Sequence, residues 1–161
     1  FGAAYLGRKE KDDTLRLSLA VGNILEENGV NVIYTRTSDV YTSPAGKAAM
    51  ANASGADYFL SIHRNSSPYD NQYTGVESLV YSKNGIARTI AENINRELTR
   101  VGFVNQGIQE RPNLAVLRRT DMPAVLVEVG FINTDKDNIR FDTQFQEIAR
   151  AIANGLLKSI S

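Results

Sequence analysis

The chain has 161 residues, of which 42% are apolar and 22% charged, a balance typical of one globular domain with a single core. Lys plus Arg and Asp plus Glu both number 18, so the formal charge of zero favours neither nucleic acid nor an anionic membrane as a partner. The lack of Cys excludes disulfides, thiolate metal ligands and Cys nucleophiles, which leaves His and carboxylates as the strong ligands and bases.

The first predicted element is a helix capped by Asp12 or Asp13 and ended by Gly29. The segment Val30–Tyr34 is rich in β-branched and aromatic residues, which predicts a buried strand directly after this helix. The apolar stripe that predicts the helix is formed by Leu17, Val21, Ile24 and Leu25.

A second helix is predicted to begin at Pro44 and to close near Ser54 and Gly55. It is followed by an apolar segment, Tyr58 to Ile62, that reads as a strand. His63 stands at the carboxyl end of this strand, where a polar loop over residues 64–74 begins.

The second half continues the alternation of strands and helices. Strands are predicted over residues 76–81 and 124–129, with a short apolar run at 114–117 between them and a last helix from about Thr143 to Ile160. A third helix is marked by apolar residues spaced by four, namely Ile86, Ile90, Ile94 and Leu98.

This order predicts a single α/β domain over residues 1–161, with a mostly parallel twisted sheet and helices on both faces. Ligands of such sheets gather at the carboxyl ends of the strands. His63, the single histidine of the chain, is therefore a candidate site residue. A hydrogen-bonded structural histidine is the alternative interpretation.

Glu128 is a carboxylate within the apolar strand Ala124 to Phe131, and burying it unpaired would cost several kcal/mol. It is either a general base with a raised pKa or the partner of Arg111, Arg118 or Arg119 in an ion pair. Glu10 lies among basic residues and on chemistry alone resembles an exposed charge cluster. The two glutamates and His63 could nevertheless converge, since zinc accepts His and carboxylate ligands while a second carboxylate deprotonates water.

Three segments resemble, in order and spacing, the motifs of zinc-dependent N-acetylmuramoyl-L-alanine amidases, the enzymes found among autolysins, sporulation enzymes and phage endolysins. They are Arg-Lys-Glu-Lys-Asp at residues 8–12, Ser-Ile-His-Arg-Asn-Ser at 61–66, and the segment from Met122 to Asn133 with Val-Glu-Val-Gly-Phe at its centre. The resemblance covers essentially the whole chain.

The resemblance implies that Glu10 and His63 bind Zn²⁺ and that Glu128 is the catalytic carboxylate. Asn65 would support the metal ligands or contact the substrate, and Arg111 is a further expected substrate contact. Members of the family normally open with a strand that ends in a Gly-His-Gly-Gly type segment and supplies another zinc ligand. The expectation is that residues 1–161 lack this strand and its histidine. Either upstream residues complete the zinc site, or the site is degenerate and lacks a ligand.

The resemblance implies a monomeric hydrolase of peptidoglycan that acts outside the cell or in the wall and cleaves the bond between N-acetylmuramic acid and L-alanine. The alternative is a non-catalytic peptidoglycan-binding module with a degenerate amidase fold, although a binder needs none of Glu10, His63 and Glu128. The site is expected to be an open polar groove with the loop over residues 64–74 as one wall. The His63 and Glu128 side chains are expected on the order of 5 Å apart.

Overall fold

The computed structural model describes residues 2–161, in which strands and helices alternate along most of the chain. A short hairpin precedes the first helix, and the remaining strands form one sheet. In chain order the elements are β1 (Ala4–Tyr5), β2 (Arg8–Lys9), α1 (Glu10–Glu27), α2 (Pro44–Ser54), β3 (Phe59–Asn65), β4 (Val76–Val80), α3 (Gly85–Val101), β5 (Asn105–Glu110), α4 (Ala115–Arg118), β6 (Ala124–Phe131), α5 (Asp135–Thr143) and α6 (Phe145–Ile160).

The central sheet has the strand order β3-β6-β4-β5. β3 runs parallel to β6 and β4 runs parallel to β5, whereas β4 and β6 are antiparallel. Helices α1, α3 and α6 cover one face, and the shorter α2 and α4 lie on the other. The prediction of an α/β domain with a mostly parallel sheet and helices on both faces is therefore confirmed.

The two faces of the sheet are packed unequally. The main core joins α3 and α6 to inward side chains of β6 such as Val125, Val127 and Val129, all of which have no exposed surface. A smaller cluster on the other face is formed by Leu79, Val116, Leu117, Ala124 and Leu126. Because this cluster covers only the part of its face where β6 begins, the part where β3 and β6 end is left for polar side chains.

The segment Val30–Tyr34 does not form the predicted strand. Its side chains are not all buried as predicted: Val30 and Val32 lie against the main core, whereas Ile33 is 66% exposed. Within residues 2–161, no strand pairs with this segment, and β3 pairs with β6 alone. The composition favours a strand, but a strand also requires a hydrogen-bonded neighbour, and the described residues provide none here.

The predicted starts of the first two helices differ in accuracy. α1 begins at Glu10 after Lys9, so Asp12 and Asp13 lie in its first turn and neither is the cap. Asp13 is buried and pairs with Arg64, which is why this carboxylate lies inside the helix. α2 is confirmed: the Ser43 hydroxyl accepts a hydrogen bond from the Gly46 N–H, and Gly55, with φ of +70°, ends the helix.

β1, β2, β5 and α5 were not predicted from the sequence. β5 is a polar edge strand without apolar alternation, and it is held by Asn95 of α3, whose side chain donates to the Asn105 side chain and the Gly107 carbonyl.

No helix within residues 2–161 is both long and apolar enough to span a bilayer.

Candidate active site

Glu10 is held by backbone and side-chain donors from two directions. Its Oε1 accepts a hydrogen bond from the Ala3 N–H at 2.9 Å, and its Oε2 accepts one from the Arg64 N–H at 3.2 Å. The chain also passes close by at Gly2, where an added Cβ would lie 2.6 Å from Glu10 Oε1 and would displace the side chain. The interpretation of Glu10 as part of an exposed charge cluster is therefore wrong, although Lys9 beside it is exposed.

His63 lies near the end of β3, and both of its ring nitrogens have partners. Nδ1 lies 3.0 Å from Glu10 Oε2, and Nε2 lies 2.9 Å from the Ser61 hydroxyl. Because an ionised carboxylate only accepts, Nδ1 carries the proton that is donated to Glu10. The side chain is 32% exposed, so the ring faces the open part of the sheet and not the core.

The environment of Glu10 favours its charged form. Burial disfavours ionisation, but the hydrogen bonds from His63 and from the backbone N–H groups of Ala3 and Arg64 outweigh it and lower the pKa of Glu10. The carboxylate is therefore negative at neutral pH and can act as a hydrogen-bond acceptor or a metal ligand.

Glu128 lies on β6 directly beside His63, since the two are register partners on neighbouring parallel strands. The expectation that both lie at the same edge of the sheet is confirmed. Burial raises the pKa of Glu128 to about 7 although the charges of His63 and Arg64 lower it, and the negative charges of Glu10 and Glu77 add to the rise. Its Oε2 is buried and has no hydrogen-bond partner within residues 2–161.

The ion pair considered for Glu128 is not formed. Within the described chain, no salt bridge joins Glu128 to Arg111, Arg118 or Arg119. The Arg111 side chain is exposed and donates to the Glu110 carbonyl at 2.9 Å, and its charge acts on Glu77. Arg111 therefore lies toward β4, on the side of Glu128 that faces away from His63.

Asn65 ends β3, and its side-chain oxygen accepts a hydrogen bond from the Ser66 N–H at 2.9 Å. In this structure Asn65 thus shapes the start of the loop that follows the strand. A substrate contact by Asn65 or Arg111 stays a prediction.

Arg64, which the sequence analysis did not single out, anchors the site from the opposite face of β3. It is 2% exposed, and its guanidinium donates to Asp13 of α1 at 2.9 Å, to the Val129 carbonyl of β6 at 2.6 Å and to Asn138 of α5 at 2.8 Å. These bonds lock together the elements that carry Glu10, His63 and Glu128. The apolar strand pattern concealed this role, which depends on partners distant in sequence.

The loop over residues 66–75 is pinned to the connection between β6 and α5. Asn133 accepts a hydrogen bond from the Ser67 N–H at 3.1 Å and donates to the Ser67 carbonyl at 2.9 Å, and Thr74 donates to Asp137 at 2.6 Å. Tyr69 is 73% exposed on this fixed loop. The loop therefore presents an exposed aromatic side chain from a rigid base beside the ends of β3 and β6.

The potential metal donors are few. Within residues 2–161, no three His, Asp or Glu side chains converge closely enough to hold a metal ion. Glu10 and His63 form a pair, with Oε2 and Nδ1 separated by 3.0 Å. The described residues thus offer two donors and, beside them, a carboxyl group whose pKa lies near neutrality.

The sequence of this chain is similar to those of cell-wall amidases. The profile of the family described as N-acetylmuramoyl-L-alanine amidase matches residues 1–158. A sporulation-specific N-acetylmuramoyl-L-alanine amidase of Bacillus subtilis is 40% identical over 161 residues, which cover 96% of this chain and 61% of that protein. An endolysin of Bacillus phage SPP1 is 33% identical, with 99% and 61% covered. The chain thus spans about three-fifths of the length of these relatives.

Solved structures agree with this similarity. The crystal structure of an N-acetylmuramoyl-L-alanine amidase from Clostridium difficile 630 superposes with a TM-score of 0.89 at 30% identity, covering 98% of this chain and 87% of that one. The amidase AmiC2 of Nostoc punctiforme also gives 0.89, at 32% identity, with 98% and 88% covered.

Proposed function

Because this chain belongs to the N-acetylmuramoyl-L-alanine amidase family, we propose that it hydrolyses the amide bond between N-acetylmuramic acid and L-alanine in peptidoglycan. The observation that carries the proposal is the position of Glu128, a half-buried carboxyl group with an unpartnered oxygen beside the Glu10–His63 pair. A buried carboxylate without a partner costs stability, and such a cost is typical of functional sites.

We propose Zn²⁺ as the cofactor, with Glu10 and His63 as two of its ligands. Two ligand atoms, each about 2.0–2.1 Å from a tetrahedral zinc ion, lie roughly 3.3 Å apart. The distance of 3.0 Å between Glu10 Oε2 and His63 Nδ1 is close to this value, and zinc would take the place of the proton that Nδ1 donates to Glu10. When bound, zinc would polarise the scissile carbonyl and lower the pKa of a water molecule.

Catalytic zinc sites usually have three protein ligands, and residues 2–161 offer two. The expectation of a further histidine ligand therefore stays a prediction. It is tested by the zinc content of the purified protein, since two ligands alone should hold zinc weakly.

The proposed chemistry of Glu128 is general base and then general acid catalysis. A pKa near 7 allows this carboxylate to take a proton from the attacking water at neutral pH and to release it again. The proton then passes to the nitrogen of L-alanine, and the carbon–nitrogen bond breaks. The products are a glycan with a free lactyl carboxyl group and a stem peptide with a new amino terminus.

The substrate is proposed to lie across the half-exposed side chains of His63 and Glu128, near the ends of β3 and β6. The loop over residues 66–75 would form one wall, with Asn65 at its base and Arg111 on the opposite side. Such an open arrangement suits a glycan strand with branching peptides better than a small molecule. We further propose that the domain acts as a monomer at the cell wall or outside the cell.

The test is the release of L-alanine amino termini from purified peptidoglycan, with zinc supplied and bound zinc measured on the same samples. The expected result is release by the wild-type protein and loss of release in Glu128→Gln. Binding to peptidoglycan without any release would instead support the non-catalytic wall-binding module.

A further inference from the structure

Glu77 on β4 belongs to the same row of side chains as His63 and Glu128. β6 lies between β3 and β4, and Glu128 is the register partner of His63 on one side and of Glu77 on the other. Register partners project from the same face of a sheet, here the face opposite the main core. The row therefore reads His63, Glu128, Glu77, with Glu10 at the His63 end.

This arrangement is unfavourable for the fold alone. Directly opposite side chains on antiparallel strands have Cβ atoms about 4.5–5.5 Å apart, and like charges in that relationship are destabilising. Glu77 is also half-buried, and burial raises the pKa of its carboxyl group. A carboxylate placed at such a cost has a use other than stability.

No structural partner accounts for Glu77. Within residues 2–161 it makes no side-chain hydrogen bond and no salt bridge, whereas the Arg111 side chain donates to the Glu110 carbonyl. The positive charge of Arg111 nevertheless favours the ionised form of Glu77. The result is a carboxyl group without a partner in the described chain, on the side of Glu128 that faces away from Glu10 and His63.

We propose that Glu77 receives the leaving amine, by accepting a hydrogen bond from the L-alanine nitrogen as that nitrogen becomes protonated. This inference rests on the proposed function. The metal ligands lie on one side of Glu128, so the bond to be cut lies over Glu128 and the departing peptide extends toward Glu77. Glu77 transfers no proton, and its role is to stabilise positive charge.

The water oxygen forms a bond to the carbonyl carbon while Glu128 takes one water proton. Glu128 then gives that proton to the amide nitrogen, which carries positive charge while it is still bonded to carbon. The carbon–nitrogen bond breaks with its electron pair leaving on nitrogen, and the carbonyl group reforms as a carboxylic acid. The acid proton ends on the amine at neutral pH.

The contribution of Glu77 should appear in kcat and not in KM. An amide nitrogen in the bound substrate is neutral and weakly basic, so a nearby carboxylate gains little from it. Once the nitrogen is protonated, the same carboxylate faces a full positive charge in a partly buried site. An interaction made only in the transition state raises kcat with little change in KM.

The experiment compares Glu77→Gln with wild type on two synthetic substrates, both with zinc supplied. One is N-acetylmuramoyl-L-alanine, called here the L-alanyl amide. The other is the p-nitroanilide of N-acetylmuramic acid, whose weakly basic nitrogen leaves without full protonation. We expect kcat for the L-alanyl amide to fall about 10²-fold, the lower end for loss of one transition-state-stabilising group, with KM nearly unchanged. Cleavage of the nitroanilide should stay near the wild-type rate.

Two further variants control the test. Glu110→Gln also removes a negative charge near Arg111. Glu110 is the register partner of Val80, which faces the main core, so Glu110 does not belong to the row of His63, Glu128 and Glu77. The Glu110→Gln variant should therefore cleave both substrates like wild type. Glu77→Asp keeps the charge and should lose less activity on the L-alanyl amide than Glu77→Gln. If Glu77→Gln does not fold by circular dichroism, the Asp variant carries the same comparison of substrates.

Equal loss on both substrates, or no loss on either, would overturn the role of Glu77 while leaving the proposed function intact. Failure of the wild type to cleave either substrate would instead overturn the proposed function, and the inference would fall with it.

Discussion

The His63 imidazole and the Glu128 carboxyl group arise side by side from neighbouring parallel strands, because the two residues are register partners of β3 and β6. Glu10 approaches the same imidazole from the start of α1, with its Oε2 3.0 Å from Nδ1. The proposed metal ligands and the proposed base thus come from separate elements. Substitutions at these positions should therefore have separable effects.

Glu128→Gln should retain zinc and lose turnover. Gln has the shape and hydrogen-bonding capacity of Glu but cannot accept the proton of water at neutral pH. We expect the release of L-alanine amino termini from peptidoglycan to fall at least about 10²-fold with bound zinc unchanged. Near-wild-type activity of this variant would show that Glu128 is not the base.

Glu10→Gln should show the opposite pattern. A neutral amide is a weak zinc ligand, so bound zinc should fall, and excess zinc should restore part of the activity. The measurement is the metal content of the dialysed protein together with activity over a series of zinc concentrations. Full zinc occupancy with reduced activity would contradict the assignment of Glu10 as a ligand.

The stability of the zinc-free protein should fall as the pH rises from about 5 to about 8. The folded pKa of Glu128 is about 7 and its ordinary value is 4.5, so between these values the folded chain keeps a proton that the unfolded chain has lost. The stability that the protonated Glu128 provides is fully present below about pH 4.5 and is lost as the pH rises through 7. The free energy of unfolding should fall by up to about 3 kcal/mol over this range.

Urea unfolding with a chelator present checks this dependence, and Glu128→Gln is the control because it cannot titrate. The difference in unfolding free energy between Glu128→Gln and wild type should grow with pH over this range. A constant difference would mean that the folded pKa of Glu128 is not raised.

Arg64→Met should destabilise the fold strongly. It removes a buried charge and leaves the Val129 carbonyl and the Asn138 side chain without their donor. The expected loss is about 3–5 kcal/mol. Arg16→Met is the matched control: Arg16 also contacts Asp13, at 3.3 Å, but its side chain is 56% exposed, so the loss should be within about 1 kcal/mol. Similar losses for the two variants would show that Arg64 is not the anchor.

Tyr69→Ala should weaken binding of soluble wall fragments without loss of stability. Tyr69 is 73% exposed on the pinned loop, so its ring is available to a ligand and contributes little to packing. A roughly tenfold rise in Kd is expected, measured by calorimetry in an inactive background. Tyr81→Ala is the control. Tyr81 follows β4 near the start of β6, at the end of the strands opposite to the candidate site, so this substitution should leave Kd unchanged.

Elements with a clear apolar pattern could be predicted from the sequence: α3 has apolar residues spaced by four, and β6 is an almost continuous apolar run. β5 could not, because its polar residues are held by Asn95, a partner from another element. Val30–Tyr34 has the composition of a strand, but composition does not report whether a neighbouring strand is present.

The candidate site shows the same division. His63 and Glu128 could be placed together because parallel strands end at one edge of a sheet. Glu77 could not be added, since β4 runs antiparallel to β6 and its register with Glu128 depends on the tertiary fold. Arg64 was hidden for a similar reason, because its partners Asp13 and Asn138 lie 51 and 74 residues away in sequence.

The alternation along β3 sets a limit on how this strand can change. His63 faces the groove and Arg64, its immediate neighbour, faces the core. A slip of one residue would exchange the two faces, burying the imidazole and expelling the guanidinium from its bonds to α1, β6 and α5. An insertion within β3 should therefore abolish folding and function together, whereas insertions in the exposed stretch over residues 37–41, between α1 and α2, leave the phase of the strand intact.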